Sequence, residues 1–231
     1  MSADNDIAAR REIAKARINK LDADTASNYD TREGFFETVY ASSGGDAAQV
    51  PWADLQVKDK LEQWLEGKSG IDLRAVDVGC GLGDNAEAMA QSGYNTIGFD
   101  FSKQAIDWAK QRFENSPVKY EVADLSQLPE HYLQAFDLVH ECYTLQSIPP
   151  ETLAWSIPAV ASLVAPGGTL LVYTRSRSDG AQASGPPWPL EESVVMSFEN
   201  EGLELVNREK FVLQRPDKDI PHWFCEGRRP T

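Results

Sequence analysis

The sequence predicts an α/β fold in which a doubly wound, mostly parallel sheet carries helices on both faces. From Leu73 onward, short apolar runs rich in β-branched residues alternate with segments of helical periodicity, which is typical of parallel strands joined by crossover helices. The first run ends in a glycine-rich turn, Asp77 to Gly83, and a helical pattern follows at once. The length of 231 residues suits one such domain with a modest addition.

The elements are expected in a regular order. Strands are predicted over residues 73–78, 95–99, 118–122, 136–143, 169–174, 203–213 and 222–227. Helices are predicted between them over 84–92, 102–113, 153–163 and 191–200, with Ser102 as an N-cap. Ahead of the first strand, the apolar spacing predicts helices over 6–21, 33–41 and 52–66. The basic face of the first of these could meet an acidic partner or could simply be solvated.

Composition excludes several classes of partner. The formal charge of −14 repels phosphate backbones and anionic membrane surfaces, so neither nucleic acid nor membrane is expected as a partner. Cys80, Cys142 and Cys225 are too few and too scattered for a disulfide framework or a cysteine zinc site, and no metal site is expected. No signal-peptide pattern or bilayer-length apolar run is present, which favours a cytoplasmic protein. A monomer and a homodimer are both expected possibilities.

The spacing of the glycines points to the ligand of the turn. A dinucleotide fingerprint requires a third glycine where Asp84 stands, so NAD is disfavoured. The pattern present is Asp77-x-Gly79-x-Gly81-x-Gly83, and it resembles the first motif of the class I S-adenosylmethionine-dependent methyltransferases. The alternative is a turn that merely links two packed elements. The resemblance implies a Rossmann-like sheet of seven strands whose last strand is antiparallel, with S-adenosyl-L-methionine as the cofactor.

The resemblance also assigns the domain parts. It implies that residues 1–68 form N-terminal helices that cap the substrate pocket, although their aromatic residues could equally be ordinary core. Residues 69–231 would then be the cofactor-binding methyltransferase core, and the whole chain would be one domain.

Residues at successive strand ends match the cofactor positions of that family. The turn contributes Asp77, Gly79, Cys80 and Gly81. Asp100 is placed to accept hydrogen bonds from the ribose hydroxyls, or it only caps the next helix. Phe101 could cover the adenine by stacking. The resemblance implies that Asp124 and Leu125 hold the adenine edge; the alternative is that Asp124 is an ordinary turn aspartate.

The fourth strand end supplies the candidate catalytic residues. Strand alternation puts Glu141 and Tyr143 on one face, and both are predicted site residues, with Glu141 also a cofactor contact. His140 could be a general base, but its phase places it on the other face, which favours plain packing. A base is needed only if the acceptor keeps its proton at neutral pH.

A small-molecule acceptor, methylated on a heteroatom, is favoured. The fourth strand end lacks the Asn/Asp-Pro-Pro-aromatic segment of nucleic-acid amino methyltransferases. Trp52, Tyr40 and Trp188 are predicted to wall the substrate pocket, or else to pack as core. The Pro-Trp element faintly resembles the thiopurine, thiol and tellurite methyltransferase branch. A protein methyltransferase and a non-catalytic cofactor-binding subunit remain as alternatives.

Overall fold

The structure is a computed structural model that describes residues 10, 13–14, 18–19, 21–22, 28–215 and 218–231. Within this part the centre is one sheet of seven strands, in the order β3-β2-β1-β4-β5-β7-β6. The strands are β1 (Arg74–Val78), β2 (Asn95–Asp100), β3 (Lys119–Val122), β4 (Phe136–Cys142), β5 (Val164–Arg175), β6 (Glu204–Arg215) and β7 (Lys218–Arg228). Only β7 pairs antiparallel to its neighbours, β5 and β6. The predicted Rossmann-like sheet with an antiparallel last strand is confirmed.

Helices flank the sheet and precede it. They are α1 (Tyr29–Ser42), α2 (Asp59–Leu65), α3 (Asp84–Gln91), α4 (Lys103–Arg112), α5 (Leu153–Ser162) and α6 (Glu192–Met196). Polar caps fix where two of them begin: the Asn28 side chain accepts from the Thr31 N–H at the start of α1. Ser102 accepts from the Ala105 N–H at the start of α4, as the sequence predicts.

Both faces of the central strands are buried. Val76, Val139 and Leu170 belong to one apolar cluster, while their chain neighbours Leu138 and Leu171 belong to another. This double burial explains why the strands read as continuous apolar runs rather than as alternating ones. The carboxyl ends of β1, β2, β4 and β5 therefore meet at one edge of the sheet, and antiparallel β7 brings its first residues to that same edge.

One predicted helix differs from expectation. The helix predicted over 52–66 begins only at Asp59, because Leu55 has a left-handed φ of 57°, which a helix cannot contain. Residues 52–56 instead form a loop that faces the sheet edge. The helix predicted over 6–21 lies mostly outside the described residues. Among the residues that are described, no helix has the length and apolarity needed to cross a membrane.

Candidate active site

The glycine turn lies between β1 and α3 in a conformation that side chains would obstruct. Gly79 has a φ of 62°, and a Cβ there would lie 2.4 Å from the Thr144 Oγ1. Gly81 has a φ of 52° and faces the Tyr40 hydroxyl, which a Cβ would approach to 3.2 Å. These positions require glycine because the left-handed region and the close neighbours both exclude a side chain. The turn therefore forms an open floor for a ligand.

Asp100 joins this turn to the next helix. One of its carboxylate oxygens accepts from the Gly81 N–H at 3.1 Å, and the other accepts from the Ser102 N–H at 2.9 Å. The side chain is buried, and burial raises its pKa to about 6. Asp100 thus lines the cleft and also orders the backbone on both sides of it.

Three more ionisable side chains lie beneath the turn. His140 stands opposite Asp77 in the β1–β4 register, and its Nδ1 is 2.7 Å from the Asp77 Oδ1. Glu141 accepts from the N–H groups of Thr144 and Leu145 at 2.8 and 3.0 Å. Burial raises the pKa of Glu141 to about 7, and the charge of Asp77 adds to the shift.

This buried group keeps unused hydrogen-bonding capacity. Among the described residues, Asp77 Oδ2, His140 Nε2 and Glu141 Oε2 are buried without a partner. Buried carboxylate oxygens without donors are costly, so together with Asp100 they favour a ligand that brings positive charge or hydrogen-bond donors. None of the three side chains lines the cleft itself, so they act from below it.

Aromatic side chains form the wall above the turn. The cleft holds about 870 Å³ of empty space, counting the part that is open to solvent. Phe36 and Tyr40 of α1 pack edge-on against Trp52, and the Trp52 Nε1–H donates to the Tyr40 hydroxyl at 2.8 Å. Phe101 packs edge-on against Phe36. The lining brings together the predicted residues Tyr40, Trp52, Gly79, Cys80, Gly81, Asp100, Phe101 and Tyr143.

A second compartment of about 1310 Å³ adjoins this cleft. The two share five lining residues: Phe36, Trp52, Asp54, Tyr143 and Ser147. The far side of the second compartment is lined by residues from β5, β6 and β7, including Arg175, Arg215 and His222. A ligand in the first compartment and one in the second would therefore meet across Trp52 and Tyr143.

Tyr143 and His222 form a hydrogen-bonded pair at this junction. The His222 Nδ1 lies 2.8 Å from the Ile220 carbonyl oxygen, and since a carbonyl only accepts, Nδ1 carries the hydrogen. The Nε2 atom is then the acceptor for the Tyr143 hydroxyl at 2.8 Å. Burial and the charges of Arg175, Lys58 and Arg215 lower the pKa of His222 to about 4. The imidazole is therefore neutral at pH 7, with its lone pair toward the tyrosine.

Two features of this pair differ from the sequence reading. Tyr143 has a φ of 66°, so it leaves the strand alternation that placed it beside Glu141. His222 was not identified as a site residue. The available signal was the antiparallel direction of the last strand, which brings its first residue, and not its last, to the ligand edge of the sheet.

The remaining predicted site residues lie outside both compartments. Asp124 accepts from the Tyr29 hydroxyl and from the Ser126 N–H, each at 2.7 Å, and its neighbour Leu125 is buried. Trp188 lies behind the wall of the second compartment, with its ring 5.7 Å from the Arg32 guanidinium. The Tyr29–Asp124 contact ties the start of α1 to the segment that follows β3.

The raised pKa of Glu141 predicts how stability depends on pH. Between about pH 4.5 and 7 the folded chain holds this proton more tightly than the unfolded chain, so unfolding releases it and the free energy of unfolding falls as pH rises. The contribution is on the order of 2 kcal/mol. Urea unfolding of the ligand-free protein at pH 5 and pH 8 should give a smaller loss for Glu141→Gln than for the wild type. The exposed control Glu114→Gln should keep the wild-type slope, and an equal slope for Glu141→Gln would contradict the assignment.

Comparison with known proteins identifies a domain within the chain. Residues 75–168 match the family described as a methyltransferase domain. The ubiquinone biosynthesis O-methyltransferase of Aromatoleum aromaticum is 31% identical over 118 residues, which are 50% of this chain and 50% of that protein. This chain therefore carries a methyltransferase domain over residues 75–168, which are less than half of its length. The match spans about half the length of such relatives.

Solved structures share the fold. Magnesium protoporphyrin IX methyltransferase from Synechocystis PCC 6803, solved with bound S-adenosylhomocysteine, superposes with a TM-score of 0.66 at 20% identity. The superposition covers 86% of this chain and 99% of that one. The 1,6-didemethyltoxoflavin-N1-methyltransferase of Burkholderia thailandensis has a TM-score of 0.65 at 15% identity, covering 85% of this chain and 88% of that one. The likeness extends beyond residues 75–168 to most of the chain.

Proposed function

We propose that this chain transfers a methyl group from S-adenosylmethionine to a heteroatom of a small-molecule acceptor. One observation carries the proposal: a glycine turn set among three buried carboxylates opens directly into a second, aromatic-walled compartment. The carboxylates suit the cationic cofactor, and the adjoining space suits an acceptor. The relatives named above carry methyltransferase names for different small molecules, which supports the same reaction class.

The residues present fit S-adenosylmethionine. The unpartnered oxygens of Asp77 and Glu141 lie under the turn, where the ammonium and sulfonium of the methionine half would add positive charge. Gly79, Cys80 and Gly81 would face that half. Asp100 would accept from the ribose hydroxyls. Phe101 would cover the adenine. Asp124 and Leu125, which lie outside both compartments, would border its outer edge, with the Tyr29 hydroxyl donating to the Asp124 carboxylate.

In the reaction the protein would position the acceptor, exclude water from it and remove its proton. The cofactor, when bound, supplies a methyl group already activated by the sulfonium. Methyl transfer depends mainly on alignment, which the shared wall of Phe36, Trp52 and Tyr143 would impose on the acceptor. The Tyr143 hydroxyl would take up the acceptor proton and pass its own to the His222 Nε2. His140 is held by Asp77 and has no such access.

The N-terminal residues would act as a cap. We take residues 1–68 as the capping part and 69–231 as the core, because α1 contacts the ends of three strands. Its Tyr29 reaches Asp124, its Glu37 accepts from the Ser102 hydroxyl, and its Arg32 donates to the Ser147 carbonyl at 3.1 Å.

The free thiols of the chain support the proposed cytoplasmic location.

Trp52→Ala is expected to raise the KM for the acceptor about tenfold, because its ring walls both compartments and its loss removes apolar contact area. Steady-state kinetics at saturating S-adenosylmethionine would measure this. Trp188→Ala removes a ring outside both walls and is expected to change KM less. Unchanged KM and kcat for Trp52→Ala would remove this residue from the acceptor site.

The proposed function is tested by incubating the protein with labelled S-adenosylmethionine and a panel of thiols, amines and phenols, with products identified by mass. Methylated product together with S-adenosylhomocysteine supports it. Label transferred only to protein in a lysate would instead favour a protein methyltransferase. Tight S-adenosylhomocysteine binding without turnover on any acceptor or lysate would favour a non-catalytic subunit.

A further inference from the structure

The second compartment is more basic than the chain as a whole. The full chain has a net charge of −14, yet among the described residues the compartment is lined by four cations, Arg32, Arg175, Arg215 and Lys218, and by two carboxylates, Asp22 and Asp54. Asp22 forms an ion pair with Arg32. Asp54 lies 2.5 Å from the Lys58 Nζ and 4.0 Å from Arg215. Both carboxylates of the lining are therefore already engaged, and the remaining positive charge faces the cavity.

Arg175 is a half-buried cation of this lining whose Nε the described residues leave without a partner. It is the last residue of β5, and it pairs in register with His222 of β7. Among the described residues its buried Nε has no hydrogen-bond partner, and no carboxylate lies within ion-pair distance of its guanidinium. A buried donor on a charged group is costly to leave unpaired, so this site favours an anionic ligand. A guanidinium fork matches a carboxylate with two parallel hydrogen bonds.

Two other cations, Arg215 and Lys218, line the same compartment as Arg175. Arg215 closes β6 and Lys218 opens β7, and these two residues pair in register. They lie four residues along β7 from His222, the register partner of Arg175, and all three cations line the same compartment. Arg175 and Arg215 lie near enough to His222 to help lower its pKa. The same compartment is also lined by Phe36 and Trp52, the aromatic residues that it shares with the first cleft. A molecule that spans the compartment would place an anion at one end and an apolar body at the other.

We propose that the methyl acceptor carries a carboxylate, which Arg175 binds with support from Arg215 and Lys218, while its reactive heteroatom lies at Tyr143. This rests on the proposed methyltransferase function. It restricts the acceptor to acidic small molecules with an apolar or aromatic body, in spite of the negative charge of the chain. The carboxylate sets which end of the acceptor faces the cofactor cleft.

The test compares acids with their neutral amides. The probes are 3,4-dihydroxybenzoate and 3,4-dihydroxybenzamide, with 4-mercaptobenzoate and 4-mercaptobenzamide as a second pair. Equilibrium binding is measured by tryptophan fluorescence with saturating S-adenosylhomocysteine, and methyl transfer is measured separately with labelled cofactor. The acids are expected to bind at least about tenfold more tightly than the amides at low ionic strength.

Variants test which residues cause the preference for acids over amides. Arg175→Met should reduce acid binding to the level of the amide, and the double variant Arg215→Met with Lys218→Met should reduce it in part. The double variant changes exposed positions, so it provides a test even if Arg175→Met does not fold. The matched control is Arg228→Met, which removes an exposed cation at the far end of β7 and should keep the full preference.

The outcomes separate this inference from the proposed function. Equal binding of acid and amide by the wild type, no binding of either acid, or a full acid preference in folded Arg175→Met would each overturn the carboxylate site. Acid preference that Arg175→Met abolishes supports it, even where no methylated product forms. Absence of S-adenosylhomocysteine binding, in contrast, would contradict the proposed function itself.

Discussion

Replacing Asp100 by alanine is expected to weaken binding of S-adenosylhomocysteine by about 100-fold or more. The carboxylate would accept hydrogen bonds from both ribose hydroxyls, and each bond to a charged group is worth roughly 1.5 to 3 kcal/mol. Asp100 also accepts hydrogen bonds from the Gly81 and Ser102 N–H groups, so its loss would loosen the turn that we propose faces the methionine half. Titration calorimetry on the purified variant measures the change directly.

Two further variants make this result specific. Asp100→Asn keeps one carbonyl acceptor and is expected to lose less affinity than alanine. Asp107→Ala removes a half-buried carboxylate of α4, which forms an ion pair with Lys103, and should bind like the wild type. Affinity of Asp100→Ala within about threefold of the wild type would contradict the placement of the ribose at β2.

The same carboxylate predicts a pH dependence. Burial raises the pKa of Asp100 to about 6. The wild type should therefore lose cofactor affinity as the pH falls through this value, because the Asp100 carboxylate becomes protonated. Asp100→Asn has no such proton and should show a flatter profile over the same range. Calorimetry at pH 5 and pH 8 compares the two, and identical profiles would assign the pH dependence to another group.

Much of the fold, and the grouping of the glycine turn with Asp100, was predictable from local sequence. Strand ends could be placed because buried apolar runs stop where glycine or a carboxylate begins, as at Gly79 and Asp100. In a parallel sheet these ends share one edge, so the juxtaposition of the β1 and β2 residues follows from topology alone. The pairing of Asp77 with His140 was implicit in the same alternation, since register partners on adjacent strands share a face.

The acceptor side depends on contacts that no local pattern specifies. Leu55 and Tyr143 adopt left-handed backbone angles, which cannot be predicted from these residue types. The angles determine the path of the loop after Trp52 and the contact between Tyr143 and His222. Arg175, Arg215 and Lys218 come together only through the pairing of β5, β7 and β6. Strand pairing over such distances in sequence is a tertiary property, so the basic wall could be read only from the structure.

His222→Gln is expected to reduce kcat by about 100-fold for an acceptor that is protonated at neutral pH, while S-adenosylhomocysteine affinity stays unchanged. The reason is that a positioned base typically contributes 10² to 10⁴ to the rate, and glutamine cannot take the proton that Tyr143 would relay. Tyr143→Phe removes the hydroxyl from the same relay and should give a comparable loss. His131→Gln changes an exposed histidine beside Tyr132 and is the matched control, expected to keep full activity.

The choice of acceptor distinguishes a base from a merely structural histidine. A phenol must lose its proton during methyl transfer, whereas an aromatic thiol is already largely thiolate at pH 8 and needs no base. The loss in kcat should therefore be large with 3,4-dihydroxybenzoate and small with 4-mercaptobenzoate. A structural role would lower both rates by the same factor, because misplacement of the acceptor affects either nucleophile. Equal losses would thus remove proton transfer from His222 and leave it as a support for Tyr143.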